Sequence, residues 1–431
     1  MNYQDTLKYL FERLPMFHRV GQAAYKNNLE NTLKLDEIFG HPHRKFKTVH
    51  VAGTNGKGSV SHMLAAVFQA AGYKTGLYTS PHLKDFRERI KINGQMISEE
   101  EVVEWVEKYP VANNLWNLEP SFFELTVAMA FDFFAKNNVD IAIIEVGLGG
   151  RLDSTNIITP EISIITNIGF DHVNLLGDTL EKIAAEKAGI IKRNIPVVIG
   201  ETHIETKKVF KEIAAAKQAL IYFADVEYVA SYSMLGIDGR QIMNIEKNGN
   251  IEYPYLKLDL TGIYQLKNVP VVVMTLEILT EKGWKISKEN IYTGLQDAAK
   301  TTGLMGRWQI IGHNPLTICD TGHNEDGIKM VVSQLKNTAY KTLHFVLGVV
   351  SDKNPDPVLK ILPAEAEYYF TRADIPRAMD ENELAQKAAC FGLKGTSYSS
   401  VLEAFNMAKL NAGKNDLIFI GGSTFVVAEI L

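Results

Sequence analysis

The stretch TVHVAGTNGKGSVSHML, residues 48–64, places a β-branched run, a glycine-rich turn with one lysine and a helix-forming segment in direct succession. Glycines let the backbone N–H groups of a turn point at an anion without a Cβ in the way. The helix that follows directs its positive end at the same point, and Lys57 can add a point charge. This order predicts a strand, a phosphate-binding loop and a helix, the beginning of a parallel α/β fold.

The loop departs from the common GxxxxGK[ST] pattern at two positions. Val51 stands where the first glycine belongs, and Gly58 occupies the hydroxyl position after Lys57. An ordinary glycine turn between a strand and a helix is therefore the alternative. Ser59 also has two interpretations, because it could contact phosphate or metal, or simply belong to the first helical turn.

Short β-rich runs alternate with helical patterns along most of the chain. Continuous apolar strands separated by helices indicate a mostly parallel sheet covered on both faces. Between residues 226 and 260 the pattern changes to short alternating runs joined by Asp-Gly and Asn-Gly turns, which predicts a small antiparallel element. The alternation restarts after residue 301, and 431 residues are too many for one ordinary core. We therefore predict an α/β fold with two domains, residues 1–300 and 301–431.

Composition narrows the classes of function. A net charge of −5 gives no support for nucleic-acid binding through bulk electrostatics. The two cysteines, Cys319 and Cys390, form neither a metal-binding pair nor a disulfide framework. Charges interrupt the apolar helical runs, as Asp132 does in TVAMAFDFFA, so we expect no membrane-spanning segment. The N-terminus lacks the pattern of a signal peptide, and we expect a cytoplasmic protein.

Polar residues end several of the predicted parallel strands. Ser80 ends GLYTS, Glu145 ends IAIIE, and Asp171 and His172 follow IIT in the segment IITNIGFDH. Because the carboxyl ends of parallel strands meet at one edge, we expect these side chains on the same side as the phosphate loop. A hydroxyl, a carboxylate and an imidazole near a triphosphate could hold Mg²⁺, with water and phosphate completing its shell. Taken singly, Glu145 could instead face solvent, and His172 could cap a helix.

Several longer motifs occur in order along the chain: GTNGKGS, TSPHL, EVGLGGRLDSTN, TNIGFDH, EKAGI, GRWQ and GHN. Together they closely resemble the folylpolyglutamate synthase / dihydrofolate synthase family, within the superfamily of ATP-dependent Mur ligases, over almost the whole chain. The resemblance implies a Mur-ligase-like ATP-binding domain with the phosphate loop, followed by a Rossmann-like domain. It also implies the reaction. ATP phosphorylates a carboxylate of dihydropteroate or of a folate's terminal glutamate, and the amino group of L-glutamate displaces the phosphate.

The resemblance carries catalytic, metal and nucleotide roles to matching positions. It implies that the catalytic residues are Lys57, His172, Lys187 and His323, that the magnesium ligands are Ser80, Glu145, His172 and Lys187, and that the ATP contacts are Gly53, Thr54, Asn55, Gly56, Lys57, Gly58, Ser59, Asn268, Arg307 and Asp320. Lys187, in EKAGI, matches a lysine that the family carbamylates, which would provide a carboxylate-like ligand for a second Mg²⁺. Without the resemblance, an ordinary exposed lysine on a helix is the simpler interpretation. A monovalent cation is a further candidate cofactor.

On the acceptor side, the family binds the pterin through residues that match SFFE and RLDSTN. The resemblance thus implies substrate contacts from Phe122, Phe123, Glu124, Leu152 and Asp153. Aromatic rings could stack on a flat heterocycle, although phenylalanines at helical spacing are more often core residues. Two departures from the family concern the adenine and glutamate sides: Glu325 replaces a proline in DTGHNED, and Tyr264 replaces a histidine in GIYQLKNVP.

Three functions remain open on the sequence. The first is a folate amide ligase, expected to be a monomer, whose small-molecule partners are ATP, L-glutamate and dihydropteroate or reduced folates. The second is a Mur-type ligase that acts on a cell-wall precursor. The third is a nucleotide-driven switch protein, which would turn over ATP without an amine acceptor, whereas a ligase depends on one. TSPHL and EVGLGGRLDSTN favour the folate ligase.

Overall fold

The computed structural model describes residues 1–15, 28–113 and 118–431. The chain forms two compact units: the first comprises Met1–Asp259 and Gln265–Leu304, and the second comprises Leu260–Tyr264 and Met305–Leu431. This division differs from the sequence-derived bounds of 1–300 and 301–431 at two places. Residues 260–264 pack with the second unit, and residues 301–304 pack with the first. The functional assignment of the two domains stays a prediction.

An eight-stranded sheet forms the centre of the first unit. Its strands are β1 (Lys47–Ala52), β2 (Thr75–Tyr78), β3 (Ile90–Ile92), β4 (Gln95–Met96), β5 (Ile141–Glu145), β6 (Ile162–Ile165), β7 (Val197–Ile199) and β8 (Ile221–Phe223). In the order β4-β3-β2-β5-β1-β6-β7-β8, neighbours from β2 to β8 are parallel, whereas β3 and β4 pair antiparallel at one edge. Every residue of β2, β5 and β6 is buried, as in parallel sheets covered on both faces. The predicted mostly parallel sheet is confirmed.

The first unit also contains helices. They span Tyr3–Arg13, Glu30–Ile38, Lys57–Ala70, Glu99–Asn113, Phe122–Lys136, Val173–Leu176, Leu180–Ala188, Ile204–Ala216, Ala224–Glu227, Gln265–Glu281, Lys288–Gln296 and Ala298–Thr302, with short 3₁₀ turns at Pro42–Arg44, Phe86–Arg89 and Ser154–Ile157. Local sequence explains where some begin. Ser121 and Glu124, for example, form a capping box at the start of Phe122–Lys136.

A three-stranded antiparallel sheet also belongs to the first unit. Its strands, β9 (Tyr228–Leu235), β10 (Gln241–Lys247) and β11 (Asn250–Leu258), lie in the order β11-β10-β9. Gly239 and Gly249 take φ values of 75° and 82° in the two hairpin turns, conformations that glycine adopts at no steric cost. The small antiparallel element predicted from the turn residues is therefore confirmed.

A six-stranded sheet forms the centre of the second unit. Its strands are β12 (Gln309–His313), β13 (Leu316–Cys319), β14 (Leu343–Leu347), β15 (Glu367–Thr371), β16 (Lys394–Tyr398) and β17 (Leu417–Gly421), in the order β12-β13-β17-β14-β15-β16. β12 pairs antiparallel with β13, and all other pairs are parallel. The helices span Glu325–Lys336, Asp356–Leu359, Glu381–Ala389, Val401–Asn411 and Thr424–Ala428. The predicted C-terminal α/β unit is confirmed. Across the described ranges of both units, no helix is both long and apolar enough to cross a membrane.

Candidate active site

The turn between β1 and the helix Lys57–Ala70 requires glycine at two positions. Gly53 has φ 148° and Gly56 has φ 84°, which residues with a Cβ rarely adopt. A Cβ on Gly53 would lie 1.8 Å from Thr166 Oγ1, and one on Gly56 would lie 2.4 Å from Asn268 Oδ1. Side chains from two other segments thus hold the loop backbone at close range.

The segment directly after β6 accepts hydrogen bonds from the first residues of the phosphate loop. The backbone N–H of Thr54 donates to Asn167 O at 3.0 Å, and that of Asn55 donates to Asn167 Oδ1 at 2.8 Å. Since these two N–H groups are already engaged, the donors best placed for phosphate are those of the first helical turn, from Lys57 to Ser59. The motif TNIGFDH contains Asn167, but nothing in the sequence indicates that its side chain turns back onto the loop.

Two lysine ammonium groups meet at the carbonyl of Gly53. Lys57 Nζ lies 3.0 Å from Gly53 O and 3.2 Å from Thr54 O, and Lys187 Nζ lies 3.0 Å from Gly53 O. Lys187 is only 4% exposed, so the alternative of an ordinary exposed lysine is wrong. Burial, followed by the charge of Lys57, lowers the pKa of Lys187 to about 7. A substantial fraction of Lys187 is therefore a neutral amine at neutral pH.

The ends of β2 and β5 bring two of the predicted magnesium ligands into contact. The backbone N–H of Ser80 donates to Glu145 Oε2 at 3.2 Å. Glu145 lies opposite Val51 of β1 and is 4% exposed. The alternative of a carboxylate facing solvent is therefore wrong. This contact follows from the pairing of neighbouring parallel strands, whose carboxyl ends share one edge.

His172, the third predicted ligand with a strand-end position, contacts its neighbour Asp171. It has φ 50° and precedes the helix Val173–Leu176, but its side chain makes no capping hydrogen bond. His172 Nε2 lies 3.8 Å from Asp171 Oδ1, and the side chain is 26% exposed. In residues 1–15, 28–113 and 118–431, no three His, Cys, Asp or Glu side chains are arranged to hold a metal by themselves. A metal here would need phosphate or water oxygens as well.

The helix Gln265–Glu281 contacts the phosphate loop through two buried amides. Asn268 Nδ2 donates to Gln265 Oε1 at 2.7 Å, and Gln265 Nε2 donates to Ser59 Oγ at 3.1 Å. These bonds tie Asn268, a predicted ATP contact, to the first turn of the helix after the loop. Sequence reasoning missed Gln265, whose only signal is its place three residues before Asn268 in GIYQLKNVP.

The predicted acceptor contacts at residues 122–124 have different surroundings. Phe122 is buried in the core, with the guanidinium of Arg89 5.1 Å from its ring centroid. Phe123 is half-buried and packs on Gly147, where a Cβ would lie 2.4 Å from Phe123 Cζ. Glu124 is buried, and its Oε2 accepts from the N-cap backbone N–H at 2.6 Å. The core interpretation therefore fits Phe122, whereas Phe123 lies against the EVGLGGRLDSTN segment.

Asp153 organises residues 147–156, which we call the acceptor loop. Asp153 Oδ2 accepts from the N–H of Leu148 at 2.8 Å, and Oδ1 accepts from the N–H and the hydroxyl of Thr155 at 3.0 and 2.5 Å. Burial raises the pKa of Asp153 although these hydrogen bonds oppose the rise. Leu152 is half-buried. Because both carboxylate oxygens of Asp153 are engaged inside the loop, its direct contact with substrate stays a prediction.

In the second unit, Asp320 follows β13 and accepts three hydrogen bonds. The donors are the Tyr264 hydroxyl and the backbone N–H groups of Trp308 and Gly322, each at 2.7 Å. Tyr264 is the residue that stands at the histidine position of the resembled family. Its contact with Asp320 has no signal in the sequence, because 56 residues separate the two.

Arg307 and His323, two further predicted site residues, both contact Thr321. The Arg307 guanidinium donates to Gly306 O at 3.2 Å and also to the Thr321 hydroxyl. His323 is exposed, and its Nδ1 lies 3.0 Å from Thr321 O. The turn after β13 thus brings together the predicted residues of the second unit.

Comparison with known proteins gives matches over both units. The family model described as "Mur ligase middle domain" matches residues 51–276, and the one described as "Mur ligase, glutamate ligase domain" matches residues 306–424. A relative from Bacillus subtilis (strain 168), named dihydrofolate synthase/folylpolyglutamate synthase, is 32% identical, and the match covers 99% of this chain and 98% of the relative.

Solved structures show the same similarity in three dimensions. Mycobacterium tuberculosis folylpolyglutamate synthase, complexed with ADP and AMPPCP, matches with a TM-score of 0.87 and 29% identity, covering 99% of this chain and 97% of that chain. Escherichia coli FolC, in complex with DHPP and ADP, matches with a TM-score of 0.86 and 27% identity, covering 100% and 97%.

Proposed function

Because this chain belongs to the folylpolyglutamate synthase / dihydrofolate synthase family of Mur ligases, we propose that it adds L-glutamate to dihydropteroate, to reduced folates, or to both, as an ATP-dependent carboxylate–amine ligase. In the first step, a carboxylate oxygen of the acceptor attacks the γ-phosphorus of ATP, and ADP leaves. In the second, the amino nitrogen of glutamate attacks the acyl carbon and loses a proton. An amide forms, and phosphate leaves with the oxygen that made the first attack.

The observation that carries this proposal is the meeting of Lys57 and Lys187 at Gly53 O, in front of a helix N-terminus. Two ammonium groups at one carbonyl repel each other, and an anion bound there removes that cost. A triphosphate supplies the anion. Lys57 can exchange its two carbonyl contacts for phosphate oxygens, and the first-turn N–H groups already point outward. Such preorganised positive charge stabilises a transferring phosphoryl group.

Ser80, Glu145 and His172 would hold Mg²⁺ together with phosphate oxygens and water. The donor set fits, because a hydroxyl and a carboxylate are hard oxygen ligands, and here the two residues lie in contact. When bound, Mg²⁺ neutralises charge on the phosphoryl oxygens. The chain itself contributes orientation, since the Ser80 N–H fixes one oxygen of the Glu145 carboxylate at the edge of the sheet.

Carbamylation of Lys187 is a finer part of the proposal. The neutral amine attacks the carbon of CO₂, an N–C bond forms and a proton leaves, so that a cation becomes a carbamate. A pKa of about 7 supports this step, because only the neutral amine reacts. The carbamate would provide an oxygen ligand for a second Mg²⁺ and would remove one of the two positive charges at Gly53.

We assign the remaining roles from the burial and the neighbours of each residue. Phe123 and Leu152 are the candidates for contact with the pterin, because both are half-buried and lie in or against the acceptor loop. We assign a supporting role beneath that surface to three buried residues, Phe122, Glu124 and Asp153. Asn268, Arg307 and Asp320 are proposed as further ATP contacts and His323 as a catalytic residue. Four points stay predictions: a monovalent cation as cofactor, a monomeric state, a cytoplasmic location, and the lack of nucleic-acid and membrane partners.

The test is an assay with purified protein, ATP, Mg²⁺ and radiolabelled L-glutamate, run separately with dihydropteroate and with tetrahydrofolate. We expect labelled product with at least one acceptor, and phosphate release that requires both acceptor and glutamate. Lys57→Met should abolish both signals, and Lys108→Met, which changes an exposed lysine paired with Glu104, should leave them intact. Phosphate release without an acceptor would indicate a switch protein. Labelling only with a cell-wall nucleotide precursor would indicate another Mur-type ligase. Either outcome overturns the proposal.

A further inference from the structure

His50 is a fully buried histidine that the phosphoryl chemistry does not use. It lies in β1, three residues before Gly53, and pairs with Ile144 of β5 and Ser163 of β6. Its Nε2 lies 2.9 Å from Thr155 Oγ1 in the acceptor loop. The strand that leads into the phosphate loop therefore also touches the loop that borders the proposed pterin site.

The direction of the hydrogen bonds in this contact follows from the atoms available. The Thr155 hydroxyl lies 2.5 Å from Asp153 Oδ1. Each carboxylate oxygen of Asp153 also accepts a backbone N–H, as an ionised carboxylate does, so the single hydroxyl proton of Thr155 points to Asp153. The Thr155 oxygen can then only accept from His50, so the proton of the neutral imidazole is on Nε2. The result is a relay in which His50 donates to Thr155 and Thr155 donates to Asp153.

The other ring nitrogen of His50 is left without a hydrogen bond among the described residues. Within the part of the chain that the structure describes, Nδ1 of His50 is buried without a hydrogen-bond partner. Burial, followed by the charge of Lys192, lowers the pKa of His50 to about 3, so the ring stays neutral at any ordinary pH. An apolar side chain of similar size would avoid an unsatisfied buried nitrogen. The feature that a histidine adds here is the Nε2–H donor.

Asp153 connects the His50–Thr155 pair to the rest of the acceptor loop. Its carboxylate also holds the backbone N–H of Leu148, which follows Gly147, the residue on which Phe123 packs. We propose that His50 is a positioning residue, which acts through Thr155 and Asp153 to hold the acceptor loop in the shape that binds the pterin. This inference rests on the proposed function, and in particular on the pterin lying against this loop.

Five variants test the relay by steady-state kinetics. His50→Leu and Thr155→Val each break it, and we expect the KM for dihydropteroate to rise about tenfold, the effect of losing one buried hydrogen bond. The KM for ATP should change by less than about twofold. His50→Gln, which keeps an N–H near the Nε2 position, and Thr155→Ser, which keeps the hydroxyl, should restore most of the affinity. The double variant His50→Leu/Thr155→Val should cost no more than either single change, because the two residues act in series.

A matched control separates positioning from general stability. His344 is another buried histidine, and its Nδ1 lies 3.0 Å from the Tyr369 hydroxyl in the second unit. We expect His344→Leu to lower the melting temperature without changing the KM for dihydropteroate. Equal KM changes for ATP and dihydropteroate in His50→Leu, or no rescue by His50→Gln, would overturn the inference.

A spectroscopic test does not depend on any variant. In ¹⁵N-histidine-labelled protein, long-range ¹H–¹⁵N spectra should show His50 as the Nε2–H tautomer, unchanged from about pH 5.5 to about pH 8.5, a span of about three units around neutrality. A protonated Nδ1, or titration in this range, would contradict the relay. If the unmodified protein glutamylates neither dihydropteroate nor tetrahydrofolate, the proposed function fails. If it accepts only tetrahydrofolate, the same comparison of KM values is made with that acceptor, so the two failures are distinguishable.

Discussion

At the scale of single residues, charge and sterics define the phosphate loop. Lys187 is buried beside Lys57 at the same carbonyl. Folding therefore disfavours its ammonium form unless an anion is present or the amine is modified. Gly53 and Gly56 have backbone conformations and neighbours that leave no room for a Cβ. Both features can be tested by single substitutions.

The first prediction concerns Lys187 and pH. Its pKa in the folded protein, about 7, is below the ordinary value of 10.5, so the unfolded chain binds more protons between these values. The free energy of unfolding should therefore rise with pH from about 7 to about 10.5. Lys187→Met should flatten this rise, as measured by urea unfolding in CO₂-free buffer. A rise equally steep in the variant would show that Lys187 does not carry it.

The second prediction concerns Gly56. Gly56→Ala places a Cβ 2.4 Å from Asn268 Oδ1, whereas Gly72, with a similar φ of 86°, has no atom within 4 Å of the same position. Both changes add backbone strain, of about 1 kcal/mol. Only Gly56→Ala also displaces a loop neighbour, so we expect it to weaken ATP binding at least about tenfold, by calorimetry, while Gly72→Ala binds normally. Equal affinities in the two variants would contradict the close packing described for the loop.

At the scale of elements, segments distant in sequence hold the loop together. Glu201 accepts from Asn167 Nδ2 at 3.1 Å and from Lys267 Nζ at 2.6 Å. Asn167 in turn accepts the N–H of Asn55, and Lys267 lies on the helix that carries Asn268. The phosphate loop is thus connected on two sides to the helix Gln265–Glu281. These connections hold the loop through contacts within the protein itself.

The third prediction concerns this connection. Asn167→Ala removes the acceptor for the Asn55 N–H and the donor to Glu201. Since the loop would then have to be ordered by the nucleotide, we expect the KM for ATP to rise about tenfold while the KM for the acceptor stays within about twofold. Asn337→Ala, which removes an exposed side chain bonded to Ser333 O, is the control. An unchanged KM for ATP would mean that the loop is ordered without Asn167.

At the scale of the whole molecule, hydrophobic periodicity predicted both main sheets, because buried parallel strands leave continuous apolar runs in the sequence. It did not predict that residues 260–264 pack with the second unit. Gln334 determines part of that packing: it accepts from the Ile263 N–H at 2.7 Å and donates to Thr261 O at 2.8 Å. Such contacts depend on one side chain 71 residues away, which no local pattern records.

Some contacts at the candidate site follow from the sequence, and others do not. Residues at strand ends, such as Ser80 and Glu145, share an edge because the topology requires it, and the structure brings them into contact. The sequence did not predict the contacts of Asn167, Gln265 and Tyr264, since these hydrogen bonds join segments without a periodic signature. The family resemblance implied chemistry that spacing alone could not, including the proposed carbamylation of Lys187.

In the proposed reaction, an acceptor carboxylate receives the γ-phosphoryl group of ATP before the amide forms. The most direct test uses dihydropteroate labelled with ¹⁸O in both carboxylate oxygens, with phosphate followed by ³¹P NMR. We expect one ¹⁸O atom to move into each inorganic phosphate released and the other to stay in the new amide. Phosphate without label, formed while glutamate is incorporated, would contradict the proposed reaction.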